Sequence, residues 1–167
     1  VRTLAHIAEQ TMPTTNTRFR HAAALLGALT AITLSHAADT ETSPAKNAAS
    51  TDYVAGQQAV EAKQWKAAVD AFTRATLQDP KNADAWNMLG YSSRWAGDYK
   101  AAFAAYERAL ALDPHHRGAH SYRGVAYVRT NDLAKARAEL ATLDGLCGRD
   151  CEEYKLLAKA IAEHKPQ

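Results

Sequence analysis

Small and bulky apolar residues recur after residue 50 in a fixed order, at a spacing of 34. Gly56, Gly90 and Gly124 form one column, Ala68, Ala102 and Ala136 a second, and Phe72, Tyr106 and Leu140 a third. Trp65 matches Tyr99, Ala75 matches Ala109, and Asp79-Pro80 returns as Asp113-Pro114. A period of this length is the mark of a repeat array. Small residues stand where two helices must approach closely, and the bulky column fills the gap between neighbouring hairpins. Proline cannot continue a helix, so each Asp-Pro pair ends the second helix of a unit. Gly97-Asp98 and Asn131-Asp132 suit tight turns between paired helices, whereas Lys63-Gln64 is a weaker turn in the first unit. The pattern predicts helices over 51–63, 66–78, 83–96, 99–111, 117–130 and 133–144, and a last one over 151–164. In that last helix Leu156, Leu157, Ala160 and Ile161 share one face, away from Lys155, Lys159 and Glu163.

Residues 83–116, with Trp86, Leu89, Gly90, Ala102, Tyr106, Ala109 and Pro114, closely resemble the tetratricopeptide repeat. Ser93 replaces the usual aromatic. Residues 49–82 match through Gly56, Ala68, Phe72, Ala75 and Pro80, with Asp52 and Ala55 in place of large residues. Residues 117–150 match through Gly124, Tyr127, Ala136 and Leu140, then depart after Leu143, where Gly145 and Gly148 break the pattern. The resemblance implies an all-α solenoid of three helical hairpins closed by a C-terminal capping helix, occupying residues 51–164 with the cap at 151–164. It also implies a protein-interaction scaffold whose first helices line a concave groove. Positions of the groove map onto Tyr53, Gln57, Asn87, Tyr91, Arg94, Trp95 and Arg129, together with Val60, Glu61, Ser121 and Val125. Aromatic rings beside amide and guanidinium donors suit an extended peptide or a partner helix. The Lys and Asn pattern by which chaperone-binding members clamp a terminal carboxylate is missing, so acidic C-terminal tails are not the expected ligand.

The chain ahead of the repeats reads as an address. Arg18-Phe19-Arg20-His21, the apolar run Ala22 to Leu34 and Ser35-His36-Ala37 have the three parts of a signal peptide. The run is too short to span a bilayer, which needs about 20 apolar residues. Residues 1–37 are therefore expected to be a signal region, with a start at Met12 and cleavage after Ala37, and residues 38–50 a flexible linker. The expected location is the bacterial periplasm, an oxidising compartment in which Cys147 and Cys151 form a structural disulfide. Asp150 and Glu153 have the spacing of a capping box that would start the last helix. The Cys-x3-Cys-Glu-Glu-Tyr ending resembles that of small exported bacterial tetratricopeptide proteins. A competing reading is a thiol-redox or copper-handling accessory built on this cysteine pair, although His164 lies about 20 Å along its helix from Cys151.

Charge narrows the remaining classes. The chain carries 20 Lys+Arg against 18 Asp+Glu. Its basic excess resides in Arg2, Arg18 and Arg20 against Glu9, which leaves the mature chain neutral and without a footprint for nucleic acid. Phosphate-loop, GxSxG and HExxH signatures are missing, and no enzymatic activity, cofactor or metal is expected. His115, His116 and His120 read as solvated loop histidines with no carboxylate or cysteine nearby in sequence to complete a metal site. The expected partner is a protein or peptide, with the chain monomeric or weakly self-associating end to end.

Overall fold

The computed structural model describes residues 50–165; the expected signal region and the linker up to residue 49 lie outside the described residues. Seven helices follow in order: α1 (Thr51–Glu61), α2 (Trp65–Gln78), α3 (Ala83–Trp95), α4 (Tyr99–Leu112), α5 (Arg117–Arg129), α6 (Leu133–Cys147) and α7 (Glu152–Ala162). They form three antiparallel hairpins stacked in sequence, with α7 packed on both α5 and α6. Among the described residues there is no strand, and no helix is long and apolar enough to cross a membrane.

Local chemistry repeats with the same period as the core. Asn82 and His116 cap α3 and α5 by accepting the N–H of Ala85 and Ala119, while Asp98 and Asp132 cap α4 and α6. Every hairpin turns through one left-handed residue, with φ of 56° at Lys63, 87° at Gly97 and 63° at Asn131. Glycine adopts this conformation freely and asparagine tolerates it, whereas lysine is strained there by about 1 kcal/mol. Two ends differ from the sequence expectation. Helix α6 runs through Gly145 to Cys147, because an isolated glycine costs a helix only about 1 kcal/mol, and stops at left-handed Gly148. Asp150 does not cap α7; the N-cap is Cys151, whose backbone is extended and whose side chain makes no capping bond.

The glycine column sets the spacing between paired helices. A Cβ on Gly56 would come within 2.7 Å of the Phe72 ring, and one on Gly90 within 2.6 Å of the Tyr106 ring. Both rings are fully buried. In the third unit the sequence assigns this place to Leu140, but Gly124 instead faces Leu157 of α7, flanked by the Cβ of Glu139. Leucine lacks the reach of an aromatic ring, so Leu140 stays half-buried at the edge of the cluster and α7 supplies the missing apolar group. Between units, Trp86 Nε1 donates to the Pro80 carbonyl at 3.0 Å and ties α3 to the turn that ends α2.

Two stability measurements follow from this packing. Leu157→Ala is expected to cost about 2–5 kcal/mol in urea denaturation, whereas Leu156→Ala, at a side chain 45% exposed, should stay within about 0.5 kcal/mol. Lys63→Gly should raise stability by about 1 kcal/mol by releasing the left-handed strain.

Candidate functional site

Helices α3, α5 and α7 lie side by side and bound a cavity of about 770 Å³. Tyr91, Arg94 and Trp95 come from α3, Tyr122, Val125, Val128 and Arg129 from α5, and Leu156, Lys159, Ala160 and Glu163 from α7. The period continues into the cap: Tyr91, Val125 and Lys159 are spaced by 34, as are Tyr122 and Leu156, and Arg129 and Glu163. Helix α7 therefore stands where the first helix of a fourth unit would stand.

An aromatic cluster forms one wall. Trp65, from the start of α2, stacks on Trp95 with centroids 5.2 Å apart and planes 13° apart. Tyr91 meets both rings edge-on at 6.3 Å and lies 4.9 Å from Tyr122. Pairs of this kind add about 0.5–1.5 kcal/mol each beyond their buried area. The Arg94 guanidinium carbon sits 5.2 Å from the Tyr91 centroid and 4.9 Å from that of Trp95. Arg94 is only 8% exposed, its Nε–H has no hydrogen-bond partner, and no carboxylate of the described residues pairs with it. Ring faces attract the charge but accept none of its in-plane N–H bonds. A buried donor left in that state costs about 1–3 kcal/mol, and more when charged. The Tyr106 hydroxyl is also unpartnered; burial pushes its pKa far up, and the nearby Arg94 charge only partly offsets this. Arg129, Lys159 and Lys165 add positive charge at the cavity, against Glu163 alone.

Of the groove residues expected from sequence, Tyr91, Arg94, Trp95, Val125 and Arg129 converge on this cavity. Tyr53, Gln57 and Asn87 do not line it. Tyr53 packs edge-on against Phe72, with centroids 5.5 Å apart, as part of the first hairpin's core. Gln57 is exposed on α1, away from the cavity. Asn87 is buried at the α3–α5 contact, where its amide nitrogen would lie 3.2 Å from a Cβ on Gly118, and its Oδ1 is unpartnered. Sequence reasoning missed Trp65, Tyr122 and the α7 wall. Carrying the 34-residue register one step further, from Tyr122 to Leu156 and from Val125 to Lys159, would have found that wall.

Two models of the tetratricopeptide repeat match the chain, over residues 53–105 and 96–161. The chain belongs to the tetratricopeptide repeat family. Among solved structures, the Arabidopsis OM64 TPR domain is 21% identical with a TM-score of 0.62, covering 68% of this chain and 93% of that one. The TPR2B domain of yeast Sti1, solved as a complex with pHsp70, is 17% identical at 0.61, covering 68% and 95%. The second TPR domain of human RPAP3, in complex with an HSP70 peptide, is 20% identical at 0.61, covering 67% and 93%. At these identities the likeness concerns the fold, which in general serves as a protein-interaction scaffold. A search of curated protein sequences gives no significant match.

The tetratricopeptide register also explains the histidines, two of which are not solvated loop residues. His116 caps α5: its Nδ1 accepts from Ala119 N–H at 3.2 Å, and its Nε2 faces Asp84 at 3.1 Å. His120 stands 34 residues after Trp86 and repeats its role, with Nε2 donating to the Pro114 carbonyl at 2.9 Å. Its Nδ1 faces Glu139 Oε2 at 2.7 Å, and Arg123 holds the other carboxylate oxygen at 2.6 and 2.8 Å. Both ring nitrogens meet acceptors, so the imidazolium form fits the site. The Glu139 hydrogen bond raises the His120 pKa, against the lowering effect of burial. His115 is exposed, as expected. The three histidines thus do not converge. Among the described residues, Cys147, Cys151 and Glu153 bring three potential ligand atoms within 4.8 Å of one another, but the two sulfurs are joined as a disulfide with Cα atoms 5.9 Å apart.

Because the folded-state pKa of His120 lies above its unfolded value near 6.5, its contribution is complete below that pH and lost as pH rises through the raised value. Urea denaturation should show wild type losing stability relative to His120→Gln between about pH 6 and 9; parallel pH curves for the two proteins would contradict this.

Proposed function

We propose that the protein is a non-catalytic adaptor of the bacterial periplasm that binds a peptide or a partner helix across the α3–α5–α7 face. The observation that carries this reading is the cavity itself. It is lined by rings and guanidinium groups and flanked by two large apolar side chains left in solvent, Trp95 at 47% and Leu156 at 45% exposure. Concave apolar sites with a few fixed polar groups are where ligands gain most by leaving water. An exposed apolar pair on facing helices is the usual sign of a docking surface. Structural neighbours solved with HSP70 or HSP90 peptides support a peptide ligand by analogy. The periplasmic location rests on the Arg18–Ala37 pattern and on the paired cysteines. The disulfide lies between α6 and α7, where it restrains the start of the wall helix, which favours a structural role over thiol-redox or copper chemistry.

A photo-crosslinking residue at Leu156 should give an adduct of discrete mass in an extract of the source cells, and one at Arg108, exposed on α4, should not. Tyr91→Ala should remove that adduct, while Cys147→Ser/Cys151→Ser should keep it. Equal labelling at both positions overturns the groove reading. Loss of the adduct on removing the cysteines, with helix content unchanged, moves the site to residues 147–151.

A further inference from the structure

Arg94 is held in a state that a ligand would complete. More than nine-tenths buried, it lines the cavity, pairs with no carboxylate of the described residues and keeps an unpartnered Nε–H. Rings at 5.2 and 4.9 Å fix the plane of its guanidinium. The edge that carries Nε is thereby set before any ligand arrives, which lowers the entropy lost on binding. Arg129 and Lys159 stand on the two other walls, so the cavity attracts an anion from three sides. We propose that the cavity receives an aspartate or glutamate side chain from within a peptide, with Arg94 taking the carboxylate and Trp95, Tyr122 and Leu156 holding the apolar side chains beside it. The proposal rests on the adaptor reading and names the chemistry of its partner.

A carboxylate fits the free edge because a guanidinium and a carboxylate are both planar and match two bonds to two oxygens. The position within a chain, rather than at its end, follows from the apolar surface around Arg94. The Trp65–Trp95 stack lies toward the first hairpin, and Val125 and Leu156 lie toward α7. A segment that covers both sides must continue in both directions past its acidic residue. Asn87, two turns earlier on α3, is turned against Gly118 and places no amide beside Arg94 for a chain terminus.

The test uses the full chain and short dye-labelled peptides, acetylated and amidated, with one Glu between Leu and Phe. Fluorescence anisotropy should show the Glu peptide binding at least about tenfold tighter than its Gln counterpart, with a difference that shrinks as salt is added. Arg94→Met should abolish the difference and, because it removes an unpartnered buried charge, raise the thermal midpoint of the free protein. Arg137→Gln, exposed on α6 outside the cavity, should change neither. Equal binding of the Glu and Gln peptides overturns the proposal. So does binding that requires a free C-terminus, or a phosphoserine peptide that binds where the Glu peptide does not. An Arg94→Met protein that melts lower and still prefers Glu makes Arg94 a structural charge and overturns it as well. A Leu156 adduct from cell extract, with no Glu preference among the peptides, removes the acidic ligand and leaves the adaptor reading standing. Failure of both removes both.

Discussion

The architecture depends on one close approach, a helix lying with a glycine against a bulky side chain of its neighbour. Gly56 against Phe72 and Gly90 against Tyr106 satisfy it inside single hairpins. The third hairpin offers only leucine at the matching place, and its Gly124 is covered by Leu157 from α7. That substitution binds the cap to the face of α5 rather than leaving it at the end of the stack. Once there, α7 presents Leu156 and Lys159 to the space above Tyr122 and Val125, and the cavity gains its third wall. A packing requirement at the end of a repeat array thus produces the site.

Two buried positive charges show how differently the same scaffold can treat a cation. His120 gives both ring protons to acceptors, and the carboxylate it meets is shared with Arg123. Every polar atom of that cluster has work within the protein, and it joins α5, α6 and the turn after α4. Arg94, one hairpin earlier, has aromatic faces and no acceptor for Nε. Ring faces stabilise a cation by about 0.5–2 kcal/mol each, yet they cannot replace an in-plane hydrogen bond. The satisfied cluster lies away from the cavity and the unsatisfied residue lines it, so the imbalance sits where a ligand can correct it.

Most helix limits and the glycine and proline columns were legible in the sequence, because they arise from contacts inside one period. His120 was legible in principle too. Its place 34 residues after Trp86 foretells a ring N–H aimed at a proline carbonyl, a clearer guide than the run of three histidines. What the sequence could not show is which first-helix residues face open space. Asn87 and Arg94 lie two turns apart on α3, and only the stacking of α5 decides that one meets Gly118 and the other the cavity. Tyr53 likewise turned inward because Phe72 stood beside it. The Asp150 capping box was misread for a related reason: a disulfide that closes a short turn holds Cys151 extended, and the helix begins one residue later.

Neighbouring residues of α7 divide the two duties of that helix. Leu157 points into the protein and is fully buried, whereas Leu156 remains 45% exposed at the cavity. Consecutive helical positions lie about 100° apart, so a single turn holds the fold with one side chain and offers a surface with the next. The Ser121 hydroxyl adds a bond at the start of this helix by donating to the Glu153 carbonyl at 2.9 Å, and the disulfide restrains the residue just before it. Such anchoring removes freedom from Leu156 and Lys159 in the unbound protein. A partner that meets a wall already in place forfeits less entropy than one that must order it, which makes the cap a part of the site.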